Sequence, residues 1–219
     1  MTADNILKYP ESCIVGKTIP KVTFRKFLSV NTDMQRHFQD DVSSITWLYK
    51  ISPHTLPVKA TKDICEVEFF LAELKKRDCG ESLFSFIDMN VPQYIVFILR
   101  CEGQIKLLIN DKEWKSDNTH FTILQSFATG WLAPEQCSLP IQGRDLPAIY
   151  EGFVRYIAGN QLQHRRNTLK EDVLFFQQQQ EITSRIMTLQ RRLNQERQPR
   201  RKLELHQQII QLQQELKTL

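Results

Sequence analysis

Tyr94-Ile95-Val96-Phe97-Ile98-Leu99 is the stretch that decides the fold. So long an apolar run reads as a central β-strand buried on both faces, because a half-exposed strand would alternate polar and apolar residues. The chain then reaches Glu102-Gly103, a dipeptide suited to a tight turn, and returns over Gln104–Asn110 as the second arm of a hairpin. Upstream, Ile45-Thr46-Trp47-Leu48-Tyr49-Lys50-Ile51 alternates and is rich in β-formers, so it reads as a strand. Val67–Leu74 is compatible with strand or helix, and its place between two turn-like segments favours strand. Downstream, Phe121–Trp131 holds another strand. Helices are expected over Val22–Leu28, Thr32–Val42, Glu81–Met89 and Leu146–Ile157, the last stopped by Gly159-Asn160. Residues 1–20, with Pro10 and Pro20, read as irregular. The expectation for residues 1–160 is an α+β domain, a mixed sheet of four to five strands with flanking helices.

The remaining residues, 161–219, have a different periodicity. Phe175, Ile182, Ile186, Leu189 and Leu193 step at coiled-coil spacing, and so do Leu205, Ile209, Leu212, Leu216 and Leu219. A mean step of about 3.5 keeps one apolar stripe facing a partner helix. With Gln198-Pro199 between the two runs, this reads as an antiparallel helical hairpin or coiled coil. The same seam would serve equally between two chains, giving a homodimer. Charge is distributed as unevenly as hydrophobicity. From residue 160 onward there are eleven Lys/Arg against six Asp/Glu, whereas the rest has eighteen against nineteen. The excess gathers at the bend, in Arg191, Arg192, Arg197, Arg200, Arg201 and Lys202, with Glu196 the one acid among them. Such a cluster suits phosphates or an acidic protein surface.

Catalytic signals are sparse. Gly16-Lys17-Thr18 suggests a phosphate loop, but Glu11 stands where the first glycine should be, and Ile19-Pro20 follows where a helix should start. Glu73-Leu74-Lys75 at a strand end, with Asp63 upstream, has the residue types of a metal-dependent nuclease, in which two carboxylates hold the ion and the lysine orients water. A solvated strand end explains the same residues. The histidines are isolated and the five cysteines scattered, without metal-ligand or redox spacing, so no cofactor or metal site is expected. No apolar stretch approaches the ~20 residues of a spanning helix. The expectation is a soluble, cytoplasmic protein with reduced thiols.

Several segments together resemble one family. They are Gly16–Lys21 with Phe24, Ile45–Pro53, Glu66–Phe70, Val91–Leu99, Leu146–Glu151 and the basic bend Arg191–Leu205. These are similar, along nearly the whole chain, to a bacterial family catalogued as a domain of unknown function, number 4391. Pro199 departs from that family's bend, where an aromatic or polar residue is more usual. The resemblance implies an accessory protein encoded beside DNA methyltransferases and helicase-like ATPases, in restriction or phage-defence loci. It supplies no catalytic residues. The functional expectation is therefore a non-catalytic accessory or scaffold subunit. Its hairpin would bind a protein partner, such as the methyltransferase or helicase, and possess the charge to bind DNA.

Overall fold

Strands β1 (Ile14–Ile19), β2 (Val42–Ile51), β3 (Val67–Leu74), β4 (Tyr94–Cys101), β5 (Gln104–Trp114) and β6 (Phe121–Ala128) form one six-stranded sheet in sequential order. The computed structural model describes residues 5–28, 32–115, 121–162 and 168–219, with residues 25–28 described by backbone alone. Helices α1 (Lys21–Leu28) and α2 (Thr32–Asp41) precede β2. Helix α3 (Glu81–Asn90) carries the chain from β3 to β4, and α4 (Leu146–Ala158) follows the sheet. That crossover makes β3 and β4 parallel, with Val67 opposite Tyr94 and Glu73 opposite Arg100. All other neighbouring strands are antiparallel.

The sheet thus has six strands where four to five are expected. The addition is β1, in the stretch read as irregular. It is an edge strand, pairing Lys17 with Trp47 and Ile19 with Ile45, and its register shifts between Ile14 and Lys17. Gly16 sits inside that shift at φ +64°, a left-handed conformation glycine adopts without strain. A short, bulged, half-exposed edge strand has no clean alternation to read. Gly16-Lys17-Thr18 consequently belongs to a strand and not to a phosphate loop.

The apolar run of β4 is explained by covering on both sides. Against one face Phe24 of α1, Phe38 of α2 and Leu83, Phe84 and Ile87 of α3 pack on Ile45, Phe70, Phe97 and Leu99. On the other face Tyr9, Tyr49, Phe69 and Phe153 make a ring cluster, with Tyr9–Tyr49 centroids 5.1 Å apart and Phe69–Phe153 5.7 Å. Phe69 and Phe70 therefore point to opposite cores, which is why β3 shows no alternation either. Between β4 and β5, Glu102 (φ +49°) and Gly103 (φ +74°) form the tight turn that the dipeptide announces. At the start of α4 the Asp145 carboxylate accepts from the Ala148 N–H at 2.9 Å, and Gly159 at φ +50° ends the helix.

The chain divides into two compact units, 1–159 and 160–219. The second contains α5 (Leu169–Gln195) and α6 (Pro199–Thr218). Thr168 and Glu171 form a reciprocal capping box at the start of α5, bonding each other's backbone N–H at 3.2–3.3 Å. Ile182, Ile186 and Ile209 are buried between the helices, with Leu189, Leu193, Leu212 and Leu216 packed against them. The apolar stripes of α5 and α6 thus meet within one chain. Among the described residues no helix is long and apolar enough to cross a membrane.

Candidate polyanion site at the hairpin bend

The nuclease trio is not brought together. Glu73 lies near the C-terminal end of β3, where its Oε1 accepts from the Nε of Arg100 on β4 at 2.8 Å. Lys75, just beyond, donates to the Gln39 carbonyl at 3.0 Å. Asp63 precedes β3 and lines a cleft with Tyr94 and Trp114, beside the start of β4. From Val67 to Glu73 is about 20 Å of extended chain, at ~3.3 Å per residue. Ten residues that are mostly strand carry Asp63 and Glu73 apart, to opposite ends of the sheet, so they share no metal-ion geometry. Among the described residues no group of three or more His, Cys, Asp or Glu is placed to hold a metal ion.

Three polar clusters in the body went unnoticed in the sequence. Asp88 of α3 and Lys112 of β5 form an ion pair at 2.5 Å with both side chains fully buried. Asn110 donates to the same carboxylate at 2.7 Å, while Ser85 and Ser126 donate to the Asn110 amide oxygen. Lys112 also sits over the Phe121 ring, 4.0 Å from its centroid. Asp41, at the α2–β2 junction, is buried between Lys76 at 2.7 Å and His37 at 3.0 Å. Burial pushes its carboxyl up, but the bonds from Lys76 and His37 outweigh this and leave it below its usual value. Glu68 is buried beside Glu66, which pairs with Lys50. Burial first, and then Glu66, push the Glu68 carboxyl up to about 7. The readable signal was Asp88 itself, one helical turn from Phe84 on the buried face of α3. Its partner lies 24 residues away, a separation no local pattern reveals. The Asp88–Lys112–Asn110 cluster is closed on itself by ion pair and hydrogen bonds, whereas Asp41 Oδ1 is held by the Lys76 ion pair alone and Glu68 faces a second carboxylate.

The bend differs in kind. Its six cations are exposed, and among the described residues only Arg200 has an ion pair, with Glu204 at 3.6 Å. Pro199 occupies the first turn of α6, pre-setting φ for the helix, and Arg200, Arg201 and Lys202 follow with no acid in that turn. Gln198 supplies no side-chain cap. Cations here face the positive end of the helix dipole, the reverse of the stabilising arrangement. Glu196, the one neighbouring carboxylate, is occupied: its Oε1 accepts from the N–H groups of Arg197 at 2.8 Å and Gln198 at 3.0 Å. Those bonds, Gln198's first, hold its acid below the usual range, with help from Arg201 and Lys202. Arg192, Arg197 and Arg201 line a depression that the carboxylates Glu196 and Glu204 also line, both of them engaged, Glu196 by the backbone N–H groups and Glu204 by Arg200. Guanidinium forks at such a bend can receive an oxyanion through charge-assisted bonds.

No curated protein and no solved structure matches the chain. A family match covers residues 7–216, both the sheet unit and the hairpin with its bend. The chain therefore belongs to the family described as Domain of unknown function (DUF4391).

Proposed function

We propose that this protein is a non-catalytic accessory subunit of a bacterial DNA-modification or anti-phage complex, and that the hairpin bend is its contact with nucleic-acid phosphates. One observation carries the reading: the first turn of α6 concentrates Arg200, Arg201 and Lys202 where a helix by itself favours acids. A local arrangement that works against its own helix is expected where function demands it. A phosphate at the bend would turn the unfavourable charge placement into a favourable one. The sheet unit serves as a docking body for a DNA methyltransferase or helicase-like ATPase, the partners that the family resemblance implies.

Binding of the full chain to a duplex of arbitrary sequence, followed by fluorescence anisotropy across a salt series, tests the DNA contact. Log affinity should fall linearly with log salt, and Ala at Arg197, Arg200 and Arg201 together should flatten the slope by about 2.7, at ~0.9 per lost contact. Absence of binding even at about 50 mM salt rejects DNA as the ligand. Co-elution with the methyltransferase or helicase that survives deletion of residues 168–219 would show that the hairpin is not the grip on that protein.

A further inference from the structure

The two flanks of the hairpin are chemically unlike. With Ile186 and Ile209 as seam positions a, the g and c positions beside the seam include Glu181, Arg185, Arg192, Arg201, Glu204 and Glu215. The groove on that side is lined by Arg185, Leu189, Arg192, Gln208, Leu212 and Glu215, so the charged rows of α5 and α6 share one flank. The e and b positions make the other flank. There, from Phe176 to Lys217, Lys217 in the last turn is the sole Lys, Arg, Asp or Glu. Met187, Leu203 and Ile210 lie on it 54%, 59% and 41% exposed, interspersed with Gln180, Gln190 and Gln213.

We infer that this uncharged flank is a homodimer interface, across which the hairpins of two copies pack as a four-helix bundle. A two-fold contact sets a surface against itself, so it must be self-complementary. Apolar side chains meet this condition. Glutamine does as well, because its amide both donates and accepts, whereas a row of arginines meeting itself would repel. The size is sufficient. Helix α6, with 20 residues, is about 30 Å long, and two helices side by side are ~20 Å wide. That offers about 600 Å² per copy and ~1,200 Å² in all, the lower end of specific interfaces. The seam itself is filled within each chain, so the dimer adds a second contact without opening the first. This inference is independent of whether the bend binds DNA.

Light scattering on the full chain at micromolar concentrations reads the mass directly. Met187→Glu combined with Ile210→Glu places charge on the uncharged flank; Thr188→Glu with Gln211→Glu does so on the charged one. All four positions are exposed, so helicity by circular dichroism should be unchanged in both variants. The parent and the second variant should have the dimer mass, and the first variant the monomer mass. A parent that stays monomeric overturns the inference, even if the flank binds some other protein. So does a Met187→Glu/Ile210→Glu variant that remains dimeric.

Discussion

At the scale of single residues, the Asp88–Lys112 ion pair has both of its side chains fully buried. Burial lowers the lysine and raises the aspartate, while their mutual attraction opposes both shifts. Removing one member strands the other without water. Asp88→Ala should therefore cost about 3–5 kcal/mol in urea unfolding, and adding Lys112→Met should recover most of that loss. If the double variant is as unstable as Asp88→Ala, the stranded charge is not the cause. Glu68 makes a pH-dependent contribution. Its folded acid titrates near 7, above its unfolded value, so the folded chain holds a proton that the unfolded chain gives up between about 4.5 and 7. Glu68 is least unfavourable at low pH, and stability falls as pH rises through that window. Glu68→Gln should abolish the slope and leave the protein more stable at pH 8, read as a higher urea midpoint than the parent's. A slope unaltered in the variant would assign it to other groups.

Among the elements, α6 joins local instability to proposed function. Arg201→Glu puts an acid in its first turn, at the positive end of the helix dipole. It should maintain or raise hairpin stability, by about 0.5 kcal/mol, while weakening nucleic-acid binding several-fold. Loss of both together would mean that Arg201 is simply structural. The elements also differ in how plainly they were written. The hairpin at Glu102-Gly103 and helix α4 have turn, cap and stop residues in place, so their limits were legible. The end of β5 was not. It runs on to Trp114, past Asn110, because Asn110 and Lys112 are polar residues carried inward by partners on α3. Polar residues inside a strand imitate its end when their partners are unknown.

For the molecule as a whole, the family match spans both units, so the hairpin is as much part of the family as the sheet. The α+β class, the apolar central strands, the paired stripes of α5 and α6 and the basic bend were all determined by the sequence. Each rests on periodicity or composition within a few turns of chain, where residue spacing alone decides which side chains share a face. Only the tertiary structure decided the rest. It added β1 at the edge of the sheet, joined Asp88 to Lys112 and kept Asp63 from Glu73. It also brought the charged rows of α5 and α6 together on one flank of the hairpin. These are pairings between distant segments. Which segments meet is settled by strand register and by burying two faces at once, and neither quantity is local.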